Sequence, residues 1–538
     1  MKSIIESFSS HGTLIQPDTL EYIMSKEEPQ KFTSFLTKNL KEYPFVLTLD
    51  HVKKIEDSNN VKSESKNSVM GALENTNVLE PICEVDQDAL SVDVSRKIDF
   101  STEDSSSEKA ETVKSSWKPK AKEYDSEIKI FKDITGNSVC EGKTDDFARL
   151  FANRYEELRK IIRSQRREMA NVIPINRVGK NGVKDFQIIG IVKEVRNTSN
   201  GHRFIELEDE SGVAKCIVLK KDRGLLSTAK EVVLDEVIGI KGQLSKHGDL
   251  ILVENIVFPD VSIQRKKNRA EIPLYAAFLS DIHIGSKKFM EKQWNCFIRW
   301  INGEIGNSRQ RDVAGKIKYL VIPGDVVDGI GIYPNQEEEL SIKDVYQQYE
   351  ALAEELKRIP DHISIIMQPG NHDAVRPAEP QPAFEEEIQN LFSGCNIKFV
   401  GNPCYFSIHG VEILSYHGQS LLDFSTNIQH LEYDKPVEIM ETMMKKHHLA
   451  PTYGGFTPLA PEHSDYMVID RVPDVFVTGH VHLATIGKYR GVTLINASSW
   501  QEQTDYQKMM NFVPDPGKLP IMDLKSGNVT MIDFNRGI

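Results

Sequence analysis

No uncharged apolar run in the 538-residue sequence approaches the ~20 residues needed to span a bilayer. The N-terminal stretch MKSIIESFSSHGTLIQPDTLEYIM has no basic start followed by an unbroken apolar segment. We therefore expect a cytoplasmic protein with no membrane partner. Cysteine is scarce: Cys83, Cys140, Cys216, Cys296, Cys395 and Cys404 lie far apart with no CxxC pair, which argues against a zinc ribbon or a disulfide framework. Positive charge is in deficit, with 66 Lys and Arg against 79 Asp and Glu and a net charge of -13. Affinity for phosphate backbones comes mostly from Lys and Arg, so any grip on nucleic acid must be local or supplied by a partner.

What is present is uneven along the chain. At 39% hydrophobic and 27% charged, it can bury sizeable cores, and its length suits three or four domains. Residues 1 to 55 carry apolar residues at helical spacing (Ile4, Ile5, Phe8, then Leu20, Tyr22, Ile23, then Phe32, Phe35, Leu36), with Asp18 the expected cap of TLEYIM. This predicts a small α-helical N-terminal module. Residues 56 to 122 turn to Ser, Glu, Asp, Asn and Lys, with too few apolar residues to repay the entropy of ordering, and read as a disordered linker. Residues 123 to 178 form a connecting segment in which TDDFARLFANRYEELRKIIRSQRREM predicts one amphipathic helix, with Phe147, Leu150, Phe151, Tyr155, Leu158 and Ile162 as its stripe. Its basic end (Arg159, Lys160, Arg163, Arg166, Arg167) suits a solvated helix C-terminus or a phosphate contact equally well.

From 179 to 262 the period changes. FQIIGIVKEV, RFIELEDES, AKCIVLKK, VIGIKGQLS and LILVENIVF read as five short strands separated by turn signals. Five strands over this length suggest a small closed barrel, and their order resembles an OB-fold domain. The barrel shows no row of aromatics for base stacking, so protein docking is expected of it ahead of direct DNA binding. QRKKNR (Gln264 to Arg269) then leads into the last domain.

Between 270 and 538 apolar runs recur, each followed by polar residues: LYAAFLSDIH, YLVIPGDVVD, ISIIMQPGNHD, VEILSYHG and DVFVTGHVH. In open α/β sheets the carboxyl ends of strands line the binding crevice, so these five segments can converge. In Asp281-Ile-His283 and His480-Val-His482 the i, i+2 spacing aims both side chains one way if the backbone is extended. Two carboxylates in GDVVDG, just past a buried strand, are costly without a positive partner. Lone histidines elsewhere, such as His362, His409 and His430, read as ordinary structural residues.

Each motif alone is weak, but DxH, GDxxD, GNHD, a His before Gly, and GHxH stand here in that order, and together they resemble the calcineurin-like metallophosphoesterase superfamily. The resemblance implies an α/β phosphoesterase domain holding two divalent ions, with Asp281, His283, Asp325 and His482 around one, and Asp325, Asn371, His417 and His480 around the other. Such a pair, roughly 3.5–4 Å apart, clamps the attacking and leaving oxygens of a phosphodiester. It further implies Asp325 as the bridge, Asp328 orienting a ligand, His372 as the acid at the leaving oxygen, and Asp373 orienting His372. Imidazole and carboxylate donors without thiolate suit manganese, with zinc or iron as alternatives.

Over nearly the whole chain, the succession of helical module, polar tether, SEIKIFKDITGN, basic amphipathic helix, OB-like barrel and a domain ending NASSWQEQTDYQKMMNFVPDPGKLPIMDL resembles the small subunit of archaeal family D DNA polymerase. That resemblance implies a 3′–5′ exonuclease acting on single-stranded or mismatched DNA ends, in a heterodimer with a large polymerising subunit, with a sliding clamp as a further partner. Two alternatives compete. One is an inactive scaffold like the related accessory subunits of eukaryotic polymerases, which have lost metal ligands; the other is a free phosphatase. The complete ligand set speaks against the first, and the attached barrel with basic flanks against the second.

Overall fold

The computed structural model describes residues 117–179, 185–245, 248 and 250–536, together with 14–15, 17–26, 29–40, 46–47, 52–53 and positions 4, 8 and 55. The chain divides into a small body, Met1–Val92, and a large one, Asp93–Ile538. The expected tether lies, from 56 to 116, outside the described residues.

In the small body, helices Pro17–Met24 and Pro29–Asn39 accompany β1 (Leu14–Ile15), paired in parallel with β2 (Val46–Leu47). Ile4, Phe8, Ile23, Leu36 and Val52 form its buried cluster. The expectation of Asp18 as a cap fails, because the helix that contains it already begins at Pro17, whose fixed φ suits a first helical turn.

The large body begins with residues the composition assigned to the linker. Trp117 packs over Gly303 and donates from Nε1 to the Arg311 carbonyl at 3.1 Å, and Ala121 is fully buried. One tryptophan with a partner surface outweighs the polarity of its neighbours. What the sequence suggested was a connecting segment also contains β3 (Ile128–Lys132), which turns out to be a sheet edge. The amphipathic helix spans Thr144–Gln165; its buried face includes the expected Leu150, Tyr155, Leu158 and Ile162, and also Arg154. Arg154 donates from Nε to Asp465 Oδ2 at 2.7 Å and from Nη1 to the Asp235 carbonyl at 3.0 Å, while His448 Nε2 lies 2.9 Å from the same Asp465 oxygen.

The expected five-stranded barrel is present. β4 (Asp185–Asn197), β5 (Arg203–Asp209), β6 (Gly212–Val218), β7 (Val237–Leu244) and β8 (Ile251–Val257) close in the order β4-β5-β6-β8-β7, around Phe186, Ile188, Val192, Ile205, Leu207 and Ile240 among others. A helix at Arg223–Lys230, capped by the Asp222 side chain, interrupts it and was not legible in the strand pattern.

Beyond the barrel, two six-stranded sheets stack. The first comprises β9 (Tyr275–Phe278), β10 (Ile317–Ile322), β11 (Ser364–Met367) and β12 (Ile397–Phe399), parallel to one another. The second comprises β13 (Cys404–Ile408), β14 (Val411–Ser415), β15 (Val475–Thr478), β16 (Ala484–Tyr489) and β17 (Val492–Ala497), with β3 pairing onto β13. The chain then returns to the first sheet with β18 (Lys518–Asp523) and β19 (Val529–Asp533). The orders are β12-β11-β10-β9-β18-β19 and β16-β17-β15-β14-β13-β3.

Strand alternation sets the layers. Phe278, Tyr319, Val321, Phe406, Ile413 and Val477 meet between the sheets. Leu320, Ile322 and Ile365 point outward onto Trp294, Phe297 and Tyr349 of covering helices, and Leu414, Phe476 and Leu494 pack against Phe424, Ile439 and Met443 on the other side. Among the described residues no helix is long and apolar enough to cross a membrane, and the described cysteines are all free.

Candidate metal centre

The carboxyl ends of β9, β10 and β11 in one sheet and of β14 and β15 in the other open on the same crevice, and each delivers one motif. Asp281 and His283 follow β9, Asp325 and Asp328 follow β10, Asn371, His372 and Asp373 follow β11, His417 follows β14, and His480 and His482 follow β15. Asp281, His283, Asp325, Asp328, His417 and His482 are buried.

The aiming of the paired motifs differs from expectation. Asp281 and His283 have φ of 52° and 53°, His480 and His482 of 66° and 55°, and Asp325 of 51°. These are left-handed residues, not an extended strand, and non-glycine residues there cost about 1–3 kcal/mol each. The spacing of two still brings both side chains of each pair to the centre, His283 and His482 approaching Asp281 and His480 approaching His417. A Cβ on Gly370 would run into the Asp325 carboxylate and its backbone N–H, so this loop needs glycine.

Seven side chains form two overlapping groups. In the first, His482 Nε2 is 3.3 Å from Asp281 Oδ1 and 3.1 Å from His283 Nε2, which stands 3.8 Å from Asp281 Oδ1. In the second, His417 Nε2 is 3.2 Å from Asp325 Oδ2, 2.9 Å from Asn371 Oδ1 and 3.3 Å from His480 Nδ1. Asp325 Oδ2 belongs to both, being 4.0 Å from His283 Nε2.

The ring contacts decide what the groups can hold. His417 Nδ1 lies 2.9 Å from the Pro323 carbonyl, and His283 Nδ1 lies 3.1 Å from Asp328 Oδ1. The Pro323 carbonyl is an acceptor, so His417 carries a proton on Nδ1 and turns Nε2 inward; His283 Nδ1 faces the Asp328 carboxylate without an aligned hydrogen bond, and its Nε2 likewise faces inward. Lone pairs facing carboxylates and an amide oxygen suit a divalent cation, and the oriented Nδ1–H is the usual companion of a metal-bound imidazole. Burial disfavours a charged His417, yet Asp325 pushes its pKa up to about 10, so the ring pairs with Asp325 as an imidazolium unless a cation takes the place of its Nε2 proton. Burial alone would raise the Asp325 carboxyl, yet His417 and His372 hold it well below the usual range.

His372 also stands close enough to His283 and Asp325 to form a further ligand-capable group with them, and its other contacts set its ring. Its Nδ1 is 2.8 Å from the Asp328 carbonyl, its backbone N–H donates to Asp325 Oδ1 at 2.9 Å, and its Nε2 faces Asp325 Oδ2 from 4.0 Å. The expectation that Asp373 orients His372 fails: its carboxylate accepts from the Gly370 N–H at 2.8 Å, the Val326 N–H at 3.3 Å and Tyr349 Oη at 3.3 Å, tying the β10 and β11 loops together. The Asp328 carbonyl takes the orienting place instead. Burial, with Asp325 nearby, raises Asp373 to about 7.

Sequence reasoning missed the glutamines. Gln501 Nε2 donates to Asp328 Oδ1 at 2.8 Å, Gln336 Nε2 to the Asp328 carbonyl at 2.7 Å, and Gln507 Nε2 lies 3.0 Å from His482 Nδ1. Gln501 and Gln507 sit in the quoted NASSWQEQTDYQ stretch, where nothing in the spacing marks them.

The family model for the B-type subunits of DNA polymerases alpha and epsilon matches residues 276–488, which contain all ten motif residues above. The chain is 47% identical over 395 residues to the DNA polymerase II small subunit of Archaeoglobus fulgidus, covering 73% of this chain and 78% of that one. It is 43% identical to the corresponding subunit of Methanocaldococcus jannaschii, over 80% of this chain and 72% of that one. For Halobacterium salinarum the identity is 40%, over 76% and 78%.

Proposed function

Since the chain belongs to the family of archaeal DNA polymerase II small subunits, the small subunits of family D polymerases, we propose that it carries a metal-dependent 3′–5′ exonuclease in that polymerase complex. The observation that carries this reading is the placement of Asp325 Oδ2 between His417 Nε2, 3.2 Å away, and His283 Nε2, 4.0 Å away, in two adjoining groups of imidazoles and carboxylates. The two stacked sheets with ligand-bearing loops at their carboxyl ends suit a calcineurin-like phosphoesterase domain, and the strand order of the barrel suits an OB-fold.

Asp281, His283, Asp325 and His482 would hold one divalent ion, and Asp325, Asn371, His417 and His480 the other, manganese fitting these donors well. When bound, the ions supply positive charge for the phosphodiester oxygens and an acidified water. The remaining steps belong to the chain. With His372 Nδ1 donating to the Asp328 carbonyl, a second proton on Nε2 makes an imidazolium; burial disfavours it, but Asp325 and Asp328 raise its pKa overall. That Nε2 proton goes to the leaving 3′ oxygen. Asp328 keeps His283 turned inward, and Asp373 holds the β10 and β11 loops at their spacing.

The large polymerising subunit is the partner, and DNA ends are the substrate. The described basic stretches support dependence on that partner for grip. Arg159 pairs with Glu156, Lys160 with Glu157, Arg166 with Asp260 and Arg265 with Asp474.

The test is the Asp325→Ala variant in complex with the large subunit, assayed with manganese on single-stranded DNA beside a simple phosphomonoester. We expect lost nuclease activity, lower bound metal and intact subunit association; wild-type cleavage by the variant would remove the site assignment, and a preference for the monoester would favour a phosphatase.

A further inference from the structure

Tyr333, in the loop after β10, and Tyr506, in the short helix Asp505–Met509, meet beside the metal centre. The rings of Tyr333 and Tyr506 stack with centroids 5.1 Å apart and planes 25° from parallel. The Tyr333 ring centroid is 6.3 Å from that of His372, and Tyr333 Oη donates to Glu339 Oε2 at 3.0 Å, which fixes its orientation. Tyr506 directly precedes Gln507, whose amide reaches His482. The pair therefore faces His372 through Tyr333 and adjoins, through Tyr506, the residue that reaches His482.

Apolar side chains flank it in the chain. Ile330 and Ile332 precede Tyr333, and Met509, Met510 and Val513 follow Tyr506; Met509 is 77% and Val513 72% exposed. Exposed large apolar groups mark an interaction surface, and these lie in the chain next to two tyrosines of which one faces His372. A phosphate alone makes no use of such a ledge, whereas a nucleotide joins a phosphodiester to a flat aromatic base.

We propose that Tyr333 and Tyr506 form a stacking platform for the unpaired 3′-terminal base of a DNA strand, holding its phosphodiester over the metal centre. The proposal rests on the exonuclease reading above and adds the basis of its preference for frayed ends. A paired base keeps its faces against its neighbours in the duplex; a mismatched or single-stranded terminal base can leave that stack and lie on the tyrosines. Base–aromatic stacking is tolerant of sequence, so the platform would read pairing rather than base identity.

The experiment uses the complex with the large subunit, manganese, and two single-stranded oligonucleotides that differ only in whether the 3′-terminal residue carries a base or is abasic. The wild type is expected to favour the base-bearing end roughly tenfold in kcat/KM, mostly through KM. In Tyr506→Ala and Tyr333→Ala that preference falls toward unity, and Tyr506→Trp restores it. An alanine variant that keeps the wild-type preference overturns the platform while leaving the nuclease intact. Loss of the large subunit from the alanine variants, with the preference unchanged in what remains assembled, reassigns the ledge to a subunit contact. A wild-type complex that cleaves neither oligonucleotide removes the exonuclease reading and the platform with it.

Discussion

His283 turns its Nδ1 to within 3.1 Å of Asp328 Oδ1, and this contact points its other nitrogen at Asp281 and His482. Gln501 holds the same Asp328 oxygen at 2.8 Å. The carboxylate thus acts on the centre through an imidazole it orients. Asp328→Asn should retain the fold but weaken manganese binding about 10–100-fold, the usual effect of removing a ligand's outer partner. Calorimetric titration with manganese checks this, and unchanged affinity would leave Asp328 without the role.

His372 is expected to separate from the ligands in a different way. His372→Ala should bind near-normal metal yet lose ~10²–10⁴-fold in cleavage rate, because it removes a proton donor and no ligand. Metal content by elemental analysis beside single-turnover rates distinguishes the two; a metal-poor variant would make His372 a ligand.

The buried trio of Arg154, Asp465 and His448 predicts how stability responds to acid. Burial would raise Asp465, but Arg154 and His448 hold it far below its ordinary value; burial, aided by Arg154, lowers His448 to about 4. Both folded values lie below the unfolded ones, so the unfolded chain takes up protons first. The stabilisation is complete above the unfolded histidine value near 6.5 and is lost as pH falls toward 4, with the Asp465 part going at lower pH still. The melting temperature should fall from pH 7 to pH 4.5, and less steeply in His448→Gln. Arg154→Met, which strands Asp465, should cost about 3–5 kcal/mol at pH 7 by denaturant unfolding.

With a net charge of -13 and Arg159, Lys160, Arg166 and Arg265 of its basic stretches engaged in internal pairs, the isolated chain should bind single-stranded DNA weakly. Each neutralised phosphate adds about -0.7 to the slope of log affinity against log salt, so that slope should be shallow and should steepen when the large subunit is added. Fluorescence anisotropy over a salt series measures both. Tight binding with a steep slope by the small subunit alone would return DNA binding to the barrel.

Legibility in the sequence followed the physics of each feature. The barrel strands and the helix stripe through Leu150, Leu158 and Ile162 announce themselves because burial on one face imposes a period. The motif residues were legible as a set, and the structure brings them into one crevice. Their left-handed backbone was not, since Asp281 and His480 have spacings that an extended chain would share. Arg154 sits four residues from Leu150 and from Leu158, on the apolar stripe, and that position was the available signal of its burial. Trp117 was hidden by the polar residues around it, while Tyr333 and Tyr506 meet only through tertiary structure.

β3 precedes the barrel in the chain, yet its partner β13 lies beyond it. During synthesis the barrel can close on itself while β3 waits, because the strand it completes has not yet emerged from the ribosome. The second sheet must therefore form late, through contacts of long sequence separation, which are slow to find. A chain shortened to start after Lys132 would fold without that strand and leave the backbone N–H and C=O groups along the Cys404–Ile408 edge bare, an invitation to pair with another molecule.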